Sequence, residues 1–159
     1  MVTTIESLPI ELWVDIFSYL EAHQLLRAFA NLNCHFDQML ASEHVLFHAH
    51  FDKCNRNPHE YTDQPYWPVS VLHRVVSLRP IVPRQLSHLP EFLRWHAADL
   101  LQLKSLTLKL RGREIPPICD VLPQLNALRV IVIDCVPNQD LLDAILAIPN
   151  VRTGRFTFS

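Results

Sequence analysis

The sequence predicts two consecutive architectures: an all-α module over residues 1–51 and a short α/β solenoid over residues 72–159. Three observations lead to this fold class. Apolar residues recur at helical spacing in the first fifty or so residues. A short motif of alternating apolar residues is repeated at intervals of 25 and 23 residues in the second half. Between them, residues 52–71 are rich in Pro, Asn and Asp without an apolar period, which predicts an irregular connection.

The first predicted helix covers approximately residues 8–20. Ser7 is its predicted N-cap, and Pro9 lies in the first turn, where the missing N–H has no helical partner to lose. Its apolar stripe consists of Leu12, Ile16, Phe17 and Leu20. Three shorter helices are predicted after it, around residues 25–32, around residues 36–40 and, with Ser42 as N-cap, over residues 46–51.

The second half is organised around the motif L-x-x-L-x-L, which is first complete in Leu103, Leu106 and Leu108. Copies follow at 128–133 and 151–158, a weaker one precedes at 76–78, and helix-like segments at 84–95, 115–125 and 138–148 lie between them. One strand and one helix every 20–29 residues is typical of leucine-rich repeats, whose stacked units share a continuous core. Residues 72–159 therefore resemble three or four such repeats, although Arg111 stands where the repeat pattern has Asn or Cys.

The order of residues in the helical module resembles the F-box. A Leu-Pro start is followed by a Glu, an Ile-Phe pair, a Tyr-Leu pair, a Leu pair, an aromatic residue and a final Leu-aromatic pair. The matching positions are Leu8, Pro9, Glu11, Ile16, Phe17, Tyr19, Leu20, Leu25, Leu26, Phe36, Leu46 and Phe47. The chain departs from the family at Leu32 and Asn33, where Val-Cys is common, and at Phe36, where Trp is usual.

This resemblance implies an all-α F-box module followed by a short α/β leucine-rich-repeat solenoid. F-box proteins bind a Skp-family adaptor and, through it, the cullin and RING subunits of an SCF-type ubiquitin ligase, while the remainder of the chain selects a protein substrate. The resemblance thus implies a non-catalytic substrate-recognition subunit without a cofactor. The alternatives are an F-box and repeat scaffold without ubiquitylation output, and a small metal-dependent or thiol enzyme.

The first helix carries more apolar residues than one narrow buried face holds, so the surplus predicts an interface. The alternative is that the helix packs on the repeats. The predicted adaptor-binding residues are Leu8, Pro9, Ile10, Leu12, Trp13, Ile16 and Leu20.

Side chains alternate between the two faces of a strand. The residues between the apolar positions of the L-x-x-L-x-L motif are therefore expected on the face of the sheet that points away from the core, which we call the open face. The predicted substrate-binding residues are Ser105, Thr107, Lys109, Val130, Val132, Asp134, Arg155 and Thr157, with Ser77 and Arg79 as an extension. The last copy of the motif ends at Ser159 without a capping unit. We therefore expect either a longer protein or a partner that covers this end.

A loose group of basic residues lies in and just after the first complete copy of the motif. It consists of Lys104, Lys109, Arg111 and Arg113. We interpret it as a solvated strand edge, and recognition of an acidic or phosphorylated substrate is the alternative.

Composition limits the remaining function classes. The net charge of −2 gives no reason to expect nucleic acid or a membrane as partner. The two glycines are too few for a phosphate-binding loop, a dinucleotide fingerprint or a nucleophile elbow. The first residues lack the features of a secretory signal, and the four cysteines are not closely paired, so we expect reduced thiols in the cytoplasm or nucleus.

Two pairs of potential zinc ligands have a spacing of four residues, His44 with His48 and His50 with Cys54. No further ligand pair accompanies them at a recognisable spacing, so we expect no metal. We also expect no catalysis: neighbouring residues on a helix, such as Cys34 and His35, point in different directions.

Overall fold

A computed structural model describes residues 8–51, 69–80 and 89–157, which form a mixed α/β structure with a five-stranded, all-parallel sheet. The strand order is β1-β2-β3-β4-β5, so each strand lies beside the next one in the chain. The strands are β1 (Phe47–Phe51), β2 (Val75–Pro80), β3 (Ser105–Lys109), β4 (Val130–Asp134) and β5 (Thr153–Thr157).

Three helices precede the sheet and further helices lie between its strands. Asn33 caps α3 by accepting a hydrogen bond from the amide of Phe36 at 3.0 Å, and Asn138 caps α7 by accepting one from Leu141 at 2.9 Å. Short 3₁₀ turns are found at Ala97–Asp99, Gly112–Glu114 and Leu122–Gln124. The helices are α1 (Ile10–Ser18), α2 (Ala22–Phe29), α3 (Cys34–Ala41), α4 (Val69–Leu72), α5 (Leu89–His96), α6 (Ile115–Val121) and α7 (Gln139–Leu146).

The core lies between one face of the sheet and the helices α5, α6 and α7, which pack in a row. Leu106 is paired with Ile131 and Leu108 with Ile133, and all four side chains are buried. Each of these side chains contributes roughly 1.5–3 kcal/mol by leaving water. The residues between them in sequence are at least partly exposed on the opposite face, as the alternation of a strand requires.

The helices that precede the sheet pack against its β1 side. Glu21 forms an isolated parallel bridge with His48, next to the start of α2. Ala22, Leu25 and Phe47 are buried in the same hydrophobic core as the rest of the sheet. The N-terminal helices and the sheet therefore share one core.

The predicted fold class is wrong. The chain is one mixed α/β protein with a five-stranded parallel sheet, not an all-α F-box module followed by a leucine-rich-repeat solenoid. The segment 46–51, predicted as a helix, contains strand β1, which pairs with β2. Phe47 and Ala49 are buried on either side of the half-buried His48, a period of two that indicates a strand.

Individual elements agree better with their predictions. Helices α1, α2 and α3 fall within or close to the predicted segments, and from Val75 onward the strands and helices follow the predicted alternation. Ser42 is the C-cap of α3, not the start of a further helix. Helix α4 occupies the end of the segment predicted as irregular. Ser7 and residues 52–68 lie outside the described residues.

Candidate protein-interaction surfaces

Four aromatic rings join α1, α2 and α3. Trp13 packs edge-on against Phe36 with 4.9 Å between ring centroids, and Phe29 lies 5.1 Å from both Phe17 and Phe36. Trp13 also contacts Phe17 at 5.5 Å and Phe29 at 5.8 Å. Such pairs stabilise a core beyond the burial of their surface. They fix which side of α1 faces inward.

The side of α1 next to the one that carries Trp13 and Phe17 is apolar and exposed. Leu12 and Ile16 are four residues apart and Tyr19 follows three later, so the three lie along one side of the helix. Their exposed fractions are 48%, 40% and 87%. Ile10, at the start of the helix, is also exposed. Neighbouring apolar side chains exposed in this way are typical of a surface that binds another protein.

The residues predicted to bind an adaptor do not all lie on this exposed side. Trp13 is only 2% exposed and belongs to the aromatic cluster. Leu8 and Leu20 are partly buried and pack against the core. The predicted residues left accessible are Pro9, Ile10, Leu12 and Ile16. Tyr19 was not among the predicted residues, although its position three residues after Ile16 was a usable signal.

The register of the sheet brings all eight predicted substrate-binding residues together on one face. Ser77, paired with Ser105, is buried, whereas Arg79 is exposed. A role for this face in substrate binding stays a prediction. Three rows run across β3, β4 and β5, namely Ser105–Val130–Thr153, Thr107–Val132–Arg155 and Lys109–Asp134–Thr157.

The third row contains an ion pair between Lys109 Nζ and Asp134 Oδ2 at 2.8 Å. The side chain of Lys109 is about one-third exposed and that of Asp134 about one-quarter, so solvent weakens the pair, whose contribution to stability is about 0–1 kcal/mol. Because Lys109 is neutralised by its neighbour, it offers a partner less free charge than the sequence suggested.

Arg74 is a buried charged residue that the sequence analysis missed. Its guanidinium donates hydrogen bonds to the carbonyl oxygens of Ser42 and Val45, and it lies 4.9 Å from the ring centroid of Phe47. Burial lowers the pKa of Arg74, while the nearby Glu43 carboxylate acts in the opposite direction. Arg74 thus ties the segment between α3 and β1 to the start of β2.

The described cysteines are free thiols in different environments. Cys34 is exposed, Cys119 half-buried and Cys135 buried. Burial raises the pKa of Cys119 and Cys135, with neighbouring aspartates adding to the effect, so at neutral pH both are mainly protonated and weakly nucleophilic. Cys54 lies outside the described residues.

His44 and His48 do not share a helix face, because His44 lies in a loop and His48 on β1. Within residues 8–51, 69–80 and 89–157, no group of three or more His, Cys, Asp or Glu side chains is placed to hold a metal ion. Asp99 lies 3.4 Å from His96 and 4.0 Å from His73. All three side chains are about one-third or more exposed, so we assign these contacts only a surface role.

Comparison with protein-family models gives no match, and no curated protein matches the chain. In the part of the chain that the structure describes, no helix has the length and apolar character needed to cross a membrane.

Proposed function

We propose that this chain is the substrate-recognition subunit of an SCF-type ubiquitin ligase in the cytoplasm and/or nucleus. It binds a Skp-family adaptor, and through it the cullin and RING subunits, by means of α1. The open face of the sheet binds a protein substrate. In this role the chain performs no chemistry and holds a substrate lysine close to a charged ubiquitin carrier, where proximity accelerates transfer.

The observation that carries the proposal is the exposed apolar side of α1. The aromatic cluster fixes the helix so that Leu12, Ile16 and Tyr19 are exposed, although their burial would be favourable. A partner that covers them gains that burial. The order of residues around Leu8 and Pro9, which resembles the start of an F-box, supports a Skp-family adaptor as this partner.

A pull-down with purified adaptor tests the proposal. Ile16→Asp and Leu12→Asp place a charge in the proposed contact, and we expect each to weaken binding by about 2 kcal/mol or more, roughly 30-fold in Kd. Leu142→Asp is the matched control, because Leu142 on α7 is 39% exposed, almost the same as Ile16. The control should bind like the wild type. Equal recovery of the adaptor by all four proteins would exclude α1 as the binding site.

Affinity purification from cells with inhibited proteasomes separates a receptor from a scaffold. A receptor should bring down the cullin together with ubiquitylated proteins that accumulate on inhibition, and Ile16→Asp should lose both. Adaptor and cullin without such proteins would indicate the scaffold alternative.

A further inference from the structure

Three exposed basic residues are aligned across the sheet at the end where its strands begin. Lys104, Arg129 and Arg152 each precede a strand, β3, β4 and β5 respectively, by one residue. The amides of Arg129 and Val130 donate to the carbonyl oxygen of Lys104, both at 2.9 Å. The amides of Arg152 and Thr153 donate to that of Arg129 at 2.9 and 3.2 Å. The backbone therefore holds the three in a row, which we call the basic row.

Nothing in the described part of the chain neutralises the basic row. None of its three side chains is in a salt bridge with a described residue. The segments that lead into the strands, 100–104, 125–129 and 148–152, contain no Asp or Glu. Since the whole chain has a net charge of −2, this local excess of positive charge is not a consequence of overall composition.

The open face of the sheet lies next to the basic row and carries both partly exposed apolar side chains and further positive charge. Val130 is exposed and Val132 is half-buried in the first two rows of that face. Exposed Arg155 and Arg79 lie on the same face, on β5 and β2. The one acidic residue in the three rows, Asp134, is paired with Lys109 at the other end of the strands.

We propose that the basic row binds an acidic segment of a protein substrate. The segment lies in extended conformation across the starts of β3, β4 and β5, with carboxylates on the basic row and an apolar side chain on Val130 and Val132. This inference rests on the proposed substrate-binding role of the sheet and names the chemical class of the substrate.

The shape of the row favours carboxylates over a single phosphate. Neighbouring strands are about 4.8 Å apart, so the backbone positions of the basic row span about 10 Å. Side chains on one side of an extended peptide repeat about every 6.8 Å, so the row matches two acidic residues at alternate positions of the peptide. One phosphate is held best by donors that converge on a point, whereas these three are spread along a line.

Fluorescence anisotropy with a short, fluorescein-labelled peptide rich in Glu with interspersed Val tests the inference at low salt. The variant Lys104→Gln/Arg129→Gln/Arg152→Gln should bind about tenfold more weakly than the wild type, as the loss of three exposed charge contacts implies. The control Arg27→Gln/Arg94→Gln/Arg113→Gln removes the same charge from exposed positions elsewhere and should bind within twofold of wild type.

No binding by the wild type, or equal binding by the two triple variants, overturns the inference. A phosphoserine peptide or a single-stranded oligonucleotide that binds tenfold more tightly than the Glu peptide also overturns it. Adaptor pull-down from the same preparations keeps the two proposals apart. Both triple variants should retain the adaptor, and Ile16→Asp should retain the peptide.

Discussion

The helices that precede β1 pack around aromatic rings, whereas the region from β3 to β5 packs around Leu, Ile and Val. In the first region Trp13 contacts three Phe rings, and the buried Arg74 connects the following segment to β2. In the second, Leu106 pairs with Ile131 and Leu108 with Ile133, which are similar aliphatic side chains on neighbouring strands.

This difference indicates where stability is concentrated. In the aliphatic region each unit provides equivalent contacts, so the loss of one methyl group affects one of many similar sites. In the aromatic region a few large or charged side chains provide contacts that no other residue duplicates. Substitutions there should therefore have the larger effects, and the following predictions test this in descending order.

Trp13→Ala should have the largest effect, a loss of about 3–5 kcal/mol in the free energy of unfolding, because it leaves a cavity between three rings. Ile133→Leu in the aliphatic region conserves volume and should cost less than about 1.5 kcal/mol. Urea denaturation followed by circular dichroism measures both.

Trp13→Phe refines the same comparison. The indole N–H of Trp13 is buried without a hydrogen-bond partner among the described residues, so its removal is not costly. We expect Trp13→Phe to retain most of the stability that Trp13→Ala loses. Similar losses for Trp13→Ala and Ile133→Leu would contradict the concentration of stability in the aromatic region.

Arg74→Met should cost about 2–4 kcal/mol, because the carbonyls of Ser42 and Val45 lose their buried donor while the replacement keeps an apolar stem. The control is Arg79→Met on β2, which begins directly after Arg74; there the side chain is exposed and the change should stay within about 0.5 kcal/mol. Hydrogen exchange should show faster opening around residues 42–47 in Arg74→Met alone. Unchanged exchange there would mean that Arg74 does not hold this segment.

Lys109→Gln should have the smallest effect, below about 1 kcal/mol, because its pair with Asp134 is partly exposed. The difference from wild type should disappear at about 1 M salt, where exposed charges are screened. Lys104→Gln, just before the same strand, removes a charge that forms no salt bridge with a described residue, and it should be neutral or slightly stabilising. A loss that persists at high salt would show that Lys109 also contributes by packing.

Much of the local structure was predictable from the sequence. The apolar period of α1 and the recurrence of Leu108, Ile133 and Phe156 at equivalent strand positions are properties of single segments, so they identify helices and strands directly. The error fell on the segment 46–51, whose length suits either element. Its period of two indicates a strand, whereas the predicted helix rested on Ser42 as N-cap and on the apolar residues Leu46, Phe47 and Phe51.

The sequence by itself determined the alternation of helices and strands, the apolar surplus of α1 and the residues of the open face. Only the tertiary structure decided that β1 joins the sheet, that Arg74 is buried, and that Lys104, Arg129 and Arg152 form one row. The physical reason is that local periodicity depends on side-chain spacing within a segment. Strand pairing, in contrast, brings together residues that are 25 and 23 positions apart. The sequence of one segment does not show which distant residues become its neighbours.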